Sequence, residues 1–271
     1  VIDLTDQPSA NSYWAPNEER PPSFPLKTLR CTKCFHVQLS VVVDPEYLFK
    51  HYAYVSGTTT TLAEYFKWFA EFVDSVLKSQ DSIRTNRILD IASNDGSQLK
   101  PFKELKYDVQ GVDPAENIVP MAEAAGISTL GDFWSSKLAK TIGLRYDAII
   151  AQNVFAHVDD VYDFLLGVKE VMHDRSVAFI QTSQANMFER NEFDTIYHEH
   201  LSFFNTKSML AVCERAGLKL SGIIKTNIHG TSYVFMITKT ELFKHSNLED
   251  TLQNEQSRGL YDSALYTQFA Q

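Results

Sequence analysis

Residues 87–181 alternate short apolar runs with helix-patterned segments, and no other feature of the chain restricts its fold so strongly. Segments 87–93, 109–113, 127–130, 147–151 and 177–181 read as strands. The stretches 98–105, 116–125, 135–142 and 160–172 between or before them read as helices, with Gly126 placed as a left-handed cap. This spacing predicts an α/β fold with a doubly wound parallel sheet and right-handed crossovers. Beyond it, Thr206–Ala216 is a predicted helix capped by Gly217, with Cys213 on its apolar face as a core residue. Segments 218–225 and 232–238 follow with no helix between them, which predicts a terminal antiparallel hairpin.

Upstream, Leu62, Tyr65, Phe66, Phe69, Phe72, Val73, Val76 and Leu77 recur at helical spacing, an aromatic stripe that reads as core packing. Thr61 with Glu64 three residues later reads as a capping box at the start of this helix. Residues 1–30 are proline-rich and show little periodicity, so no core of their own is expected there. Residues 240–271 are polar and helix-permissive, with no evident core face.

In open α/β sheets, ligands bind beyond the carboxyl ends of the strands, so the residues closing each strand are the candidate site. The first strand runs into Asp90-Ile-Ala-Ser-Asn-Asp-Gly96. Only one glycine is present where a pyrophosphate loop needs three, and Asp90 and Asp95 would repel phosphates. A cationic or zwitterionic ligand fits better. Asp113, followed by Pro114, is placed to accept from ribose hydroxyls. Asp132 and Phe133 suit an exocyclic amine and a base face, and Asn153 closes the fourth strand. Any one of these acids reads equally well as a helix cap; three at successive strand ends point to a ligand. The net charge of −9 argues against a nucleic-acid partner. No apolar run reaches the roughly 20 residues of a membrane helix.

Two further groups carry chemistry. Tyr197-His198-Glu199-His200 lies after the fifth strand. Histidines two apart share a face of an extended segment and so could chelate a metal, but no third ligand is evident. A capping cluster is the structural alternative. A proton-transfer role uses the imidazole's ordinary pKa of about 6.5. Cys31 and Cys34 form one CxxC, half of a tetrahedral zinc site, with a segment at 37–43 reading as a strand after it. Two cysteines of three in one CxxC fit a reducing, cytoplasmic setting.

The acidic strand ends, the Asp-Phe pair and the terminal hairpin together resemble class I S-adenosylmethionine-dependent methyltransferases. Longer stretches narrow the likeness: Ile2-Asp-Leu-Thr-Asp-Gln-Pro-Ser-Ala-Asn11, Cys31-x-x-Cys34 with Val37-Gln-Leu39, Tyr54-Val-Ser-Gly57, Asp90-Ile-Ala-Ser-Asn-Asp-Gly-Ser97, Asn153-Val-Phe-Ala-His-Val158 and Tyr197-His-Glu-His-Leu-Ser-Phe-Phe204. These resemble the sugar C-methyltransferases that act at C3 of nucleotide-linked 4-keto-6-deoxysugars in antibiotic pathways. Near His229-Gly230-Thr231-Ser232 the chain departs, with Thr231 where a second glycine is expected.

The resemblance implies S-adenosylmethionine as cofactor, held by Asp90, Ala92, Asn94, Gly96, Asp113, Pro114, Asp132, Phe133 and Asn153. It implies His200 as base, with Tyr197, Glu199 and His157 beside it. It implies zinc on Cys31 and Cys34, completed by a second pair placed before Val1. The implied organisation is a partial zinc-binding domain at 1–58, a connecting helix at 59–80, the methyltransferase domain at 81–238, and a linker at 239–271 toward a C-terminal Rossmann-like domain. The expected partner is a nucleotide-linked keto sugar, and the expected state a cytoplasmic monomer. An O- or N-methyltransferase, or a non-catalytic methyltransferase-like subunit, is the competing reading.

Overall fold

The computed structural model describes residues 1–10, 13–52, 54–80, 84–182, 187–228, 231–242 and 247–271. Asn11 of the first motif, the domain boundary at Asp81, and His229 and Gly230 of the departure lie outside these residues.

The proline-rich start forms strands, and its Leu26 is buried in a cluster supplied mainly by later residues, among them Met187, Phe188, Phe203 and Tyr266. Strands β1 (Asp3–Pro8) and β2 (Ser23–Arg30) pair antiparallel, and β3 (Val37–Leu39) pairs with the far end of β2. Prolines are tolerated here because β1 is an edge strand and Pro25 lies outside the stretch of β2 that pairs with β3. The strand expected over 37–43 stops at Leu39. Helix α1 (Pro45–Phe49) comes next, capped by Asp44, whose side chain accepts from the Glu46 amide. Helix α2 (Thr60–Lys78) is capped two residues before the expected position: the Thr59 hydroxyl, not that of Thr61, accepts from the Leu62 amide. Leu62, Phe66, Phe69, Ala70, Val73 and Leu77 are its buried residues.

The predicted alternation then folds as β4 (Arg87–Ile91), α3 (Leu99–Glu104), β5 (Asp108–Val112), α4 (Val119–Ala124), β6 (Ser128–Leu130), α5 (Ser136–Ile142), β7 (Tyr146–Gln152), α6 (Val161–Val171) and β8 (Met172–Thr182). After the short α7 (Met187–Arg190) and β9 (Ser202–Phe203), helix α8 (Thr206–Ala216) leads into the hairpin β10 (Lys219–Thr226) and β11 (Ser232–Thr238). The seven-stranded sheet has the order β10-β11-β8-β7-β4-β5-β6, parallel from β6 to β8 and antiparallel at β11 and β10. Consecutive residues of β7 serve opposite faces: Ala148 and Ile150 pack with α2 and α3, Ile149 and Ala151 with α6 and α8. Burial on both faces is why the central strands read as unbroken apolar runs.

Two boundaries differ from the sequence reading. Strand β9, directly after Tyr197–His200, pairs with β3, so the segment following that block joins β1, β2 and β3 in one four-stranded sheet. Residues 247–271 are not a bare linker. They form α9 (Leu248–Ser257) and α10 (Ser263–Phe269), and Tyr266 and Phe269 bury their rings against Phe188 with centroids 4.9 and 5.1 Å away. Glu255 of α9 is fully buried and accepts from the Thr206 amide at 3.0 Å, the Thr206 hydroxyl at 2.9 Å, and the Tyr261 hydroxyl.

Candidate active site

The carboxyl ends of β4, β5, β6, β7 and β8 open into one cavity of about 940 Å³. The chain leaves two of these strands through left-handed residues that are not glycine: Ala92 (φ 59°) and Asn94 (φ 49°) after β4, and Asn153 (φ 54°) after β7. Asparagine adopts this region readily; for alanine it costs about 1–2 kcal/mol, strain of a kind concentrated at functional sites. Asn94 also ties the wall in place, accepting from the Ser56 amide at 2.9 Å and donating to the Tyr54 carbonyl at 3.0 Å.

Of the residues expected to hold the cofactor, Asp90, Ala92, Asn94, Asp113, Pro114, Asp132, Phe133 and Asn153 all line the cavity. Gly96 does not. It sits in the left-handed region (φ 75°) against Ile127, with no room for a Cβ, so it shapes the turn. Asp113 is 5% exposed; its two carboxylate oxygens accept from the Asn94 amide at 2.8 Å and the Ala115 amide at 2.9 Å. Each oxygen keeps a lone pair for a ligand. Burial pushes the Asp113 carboxyl up, opposed by the Ala115 and Asn94 amides, and burial together with the Asp113 charge pushes Asp90 well up.

Nine carboxylate side chains line the cavity, and among the described lining residues there is no lysine or arginine. Such walls suit a cation. Buried polar atoms without a partner also face this space, including Ser93 Oγ and Gln98 Nε2 near the β4 end. On these grounds the residues present fit a sulfonium-bearing cofactor with a ribose.

Part of the wall comes from the Tyr197–His200 block. Tyr197, Glu199 and His200 line the cavity, as does His157 from the turn after β7. His200 Nδ1 lies 2.8 Å from the Thr195 carbonyl, which can only accept, so this nitrogen carries the proton. Nε2 is then the basic nitrogen, and it accepts from the Tyr197 hydroxyl at 2.9 Å. The His157 ring meets His200 edge-on with centroids 5.0 Å apart. Burial, and secondarily His200, hold His157 well below the ordinary imidazole range. Burial and then the Glu199 charge push the Tyr197 phenol up, so it remains a donor. His198 does not line the cavity: its Nε2 lies 3.2 Å from the Phe24 carbonyl, and among the described residues it joins no group of three potential metal ligands.

The sequence reading passed over several lining residues. Tyr52 donates to Glu199 Oε2 at 3.3 Å from the loop after α1. Leu62, Tyr65 and Phe66, taken only as core, form part of the wall. Gln152 and Gln181 close β7 and β8 side by side; applying the strand-end rule to the fifth strand as well would have found Gln181.

Cys31 and Cys34 lie away from the cavity, on the turn between β2 and β3, with Cys31 exposed and Cys34 half-buried. The Cys34 and Lys33 amides lower the Cys31 thiol, and burial raises that of Cys34. Among the described residues no group of three or more potential ligands forms, so two thiols alone do not complete a zinc site. Among them, too, no helix is long and apolar enough to cross a membrane.

The parallel sheet with its antiparallel hairpin and ligand cavity defines the class I methyltransferase fold. Solved structures share it: the plantazolicin methyltransferase BpumL in complex with a pentazolic desmethylPZN analog and SAH superposes with TM-score 0.54 at 14% identity, over 67% of this chain and 87% of that one. A SAM-dependent methyltransferase from Archaeoglobus fulgidus gives 0.50 at 16%, over 65% and 94%. The chain belongs to a methyltransferase domain family, matched over residues 62–221, and residues 1–49 match a family described as a proposed zinc binding domain. Among curated relatives, the C-methyltransferase NovU of Streptomyces niveus is 26% identical over 253 residues, 91% of this chain; the chain spans 60% of NovU's length. A ubiquinone biosynthesis O-methyltransferase of Roseobacter denitrificans is 26% identical over 117 residues, 42% of this chain and 47% of that protein.

Proposed function

We propose that the protein transfers a methyl group from S-adenosylmethionine to a carbon beside a ketone, at C3 of a nucleotide-linked 4-keto-6-deoxysugar. The observation that carries this reading is the Tyr197–His200 pair, whose basic Nε2 faces the same cavity as the acidic strand ends. A base so placed can take a proton from carbon, oxygen or nitrogen, and it is the likeness to a C-methyltransferase that favours carbon. NovU, named a C-methyltransferase, supports the same reading across nearly the whole chain.

When bound, S-adenosylmethionine supplies a methyl group on a positively charged sulfur. Asp113 offers its two free lone pairs to the ribose hydroxyls, Asp132 and Phe133 meet the base, and Asp90 lies near the charged part. On the acceptor side, the Tyr197 hydroxyl turns from Nε2 to the keto oxygen, which frees Nε2 to take the C3 proton. Nδ1–H stays held by the Thr195 carbonyl, so the imidazolium forms without reorienting. The phenol stabilises the developing enolate oxygen as a donor. His157, kept neutral by burial, adds no opposing charge beside the new cation.

The test is a mass-spectrometric product screen against nucleotide-linked 4-keto sugars, with deuterium exchange at C3 followed in the absence of cofactor. Exchange followed by C3 methylation is expected. Methylation at oxygen or nitrogen without exchange would move the protein to the O- or N-acceptor class.

A further inference from the structure

Gln152 and Gln181 are paired across the parallel ladder of β7 and β8, so their side chains leave the same face at the carboxyl end of the sheet. Both line the cavity, and Gln181 is fully buried. Tyr65 reaches across from α2 and donates to Gln181 Oε1 at 2.6 Å, which turns the amide so that Nε2 is the free end. Neither Gln181 Nε2 nor Gln152 Nε2 has a hydrogen-bond partner, although both atoms are out of contact with solvent. Native folds rarely leave such donors empty, because each unmatched buried group costs about 1–3 kcal/mol. Two adjacent buried amide donors, one locked by a phenol, form a socket for oxygen.

The charge of that oxygen follows from the walls. A phosphate or carboxylate is normally met by lysine or arginine, and here the described lining residues offer carboxylates and no such cation. Neutral amides can hold a carbonyl or hydroxyl oxygen without a counter-charge. The strand ends at β4, β5 and β6 carry the acids assigned to the cofactor, and the Gln152–Gln181 pair at β7 and β8 carries no charge.

We propose that Gln152 and Gln181 form the acceptor-oxygen subsite, a pair of amide donors that receives an uncharged carbonyl or hydroxyl oxygen of the substrate. Any phosphate the substrate carries therefore lies outside the acid-lined cavity. The inference rests on the methyl-transfer reading of the cavity and adds to it the charge class of the group admitted. Tyr65 is a positioning residue that acts through Gln181.

The side-chain amide signals of Gln152 and Gln181, assigned by their loss in Gln152→Met and Gln181→Met, report the subsite directly by nitrogen-15 NMR of the full chain saturated with S-adenosylhomocysteine. The probes are a nucleoside-diphosphate 4-keto-6-deoxysugar, the same keto sugar as its methyl glycoside, and inorganic pyrophosphate. Both keto compounds are expected to move the two signals and pyrophosphate to leave them in place. In kinetics, Gln181→Met and the isosteric Gln181→Glu should raise KM for the keto sugar about tenfold, with S-adenosylhomocysteine affinity unchanged within about twofold. Movement by pyrophosphate, no movement by either keto compound, or a tenfold loss of S-adenosylhomocysteine affinity in the variants with an unchanged melting temperature would each overturn the subsite. Methyl transfer to an oxygen or nitrogen of the same substrate, with the amide signals still moving, would sink the enolate reading and leave the subsite standing.

Discussion

The two halves of the cavity are built in different ways. The half proposed for the cofactor comes from consecutive strand ends between Asp90 and Phe133, each set by its own strand and the turn behind it. The half proposed for the acceptor gathers Tyr52, Tyr65, His157, Gln181, Tyr197, Glu199 and His200, brought together from the loop after α1, helix α2, the turn after β7, the end of β8 and the block before β9. A site made from local pieces tolerates change in the rest of the chain. One made from distant pieces depends on the small sheet and on α2 being docked. The contrast predicts that substitutions in one half leave the other half's ligand untouched.

The largest expected effect is on turnover from the acceptor half. His200→Asn should lower it by about 10²–10⁴, the usual contribution of a positioned base, with cofactor affinity retained. C3 proton exchange should fall in parallel. Exchange at the wild-type rate would remove His200 from the role and pass it first to His157 or Glu199. His157, held neutral far below the usual range, does not titrate near neutrality, so an acidic limb in the pH profile that survives in His200→Asn would also break the assignment.

Next, Asp113→Ala should weaken S-adenosylmethionine binding at least about tenfold, because hydrogen bonds to a charged acceptor contribute roughly 1.5–3 kcal/mol each. Calorimetry checks this, and C3 exchange should persist, since the sugar lies in the other half. A parallel loss of exchange would show that the halves are not independent. Tyr197→Phe should have a smaller effect than His200→Asn, roughly tenfold on turnover, because one donor is lost while Nε2 remains.

Asp90→Asn is a stability test with a definite sign. Burial and the Asp113 charge raise the Asp90 carboxyl above its unfolded value. Wild-type stability from this group is therefore present below the unfolded pKa and is lost as pH rises through the folded one. The cofactor-free Asn variant should gain melting temperature over wild type at neutral pH and little in acid, while binding cofactor more weakly. An equal gain at both pH values would show that the charge is not the cause. The smallest effect concerns zinc: two thiols leave a tetrahedral ion open to competitors, so the chain should keep no stoichiometric zinc after dialysis against chelator. Retention of one ion per chain would place further ligands among the remaining residues.

Much of the strand-end wall of the cavity was legible because strand periodicity and the residue closing each strand are short-range properties. Asp90, Asp113 and the Asp132–Phe133 pair are found by looking for the polar residue that closes each apolar run. The left-handed backbone at Ala92 was not legible, since nothing in an alanine announces positive φ. The cap at Thr59 was missed because Thr61 offers the same local pattern, and only the direction of the incoming chain chooses between them.

The ends of the chain show the limit most clearly. The core roles of Tyr266 and Phe269 depend on Phe188, and the place of β2 and β3 in their sheet depends on β9, a strand remote from both in sequence. The chain by itself determined the doubly wound sheet, its terminal hairpin and the acids that face the cavity, because each follows from the spacing of residues within one turn or one strand. Tertiary structure alone decided that the Tyr197 hydroxyl meets His200 Nε2, that His198 turns to the Phe24 carbonyl, and that the Nε2 atoms of two cavity-lining glutamines are left without a partner. Those outcomes turn on contacts between elements remote in sequence, and on which side of each backbone a neighbour happens to pack.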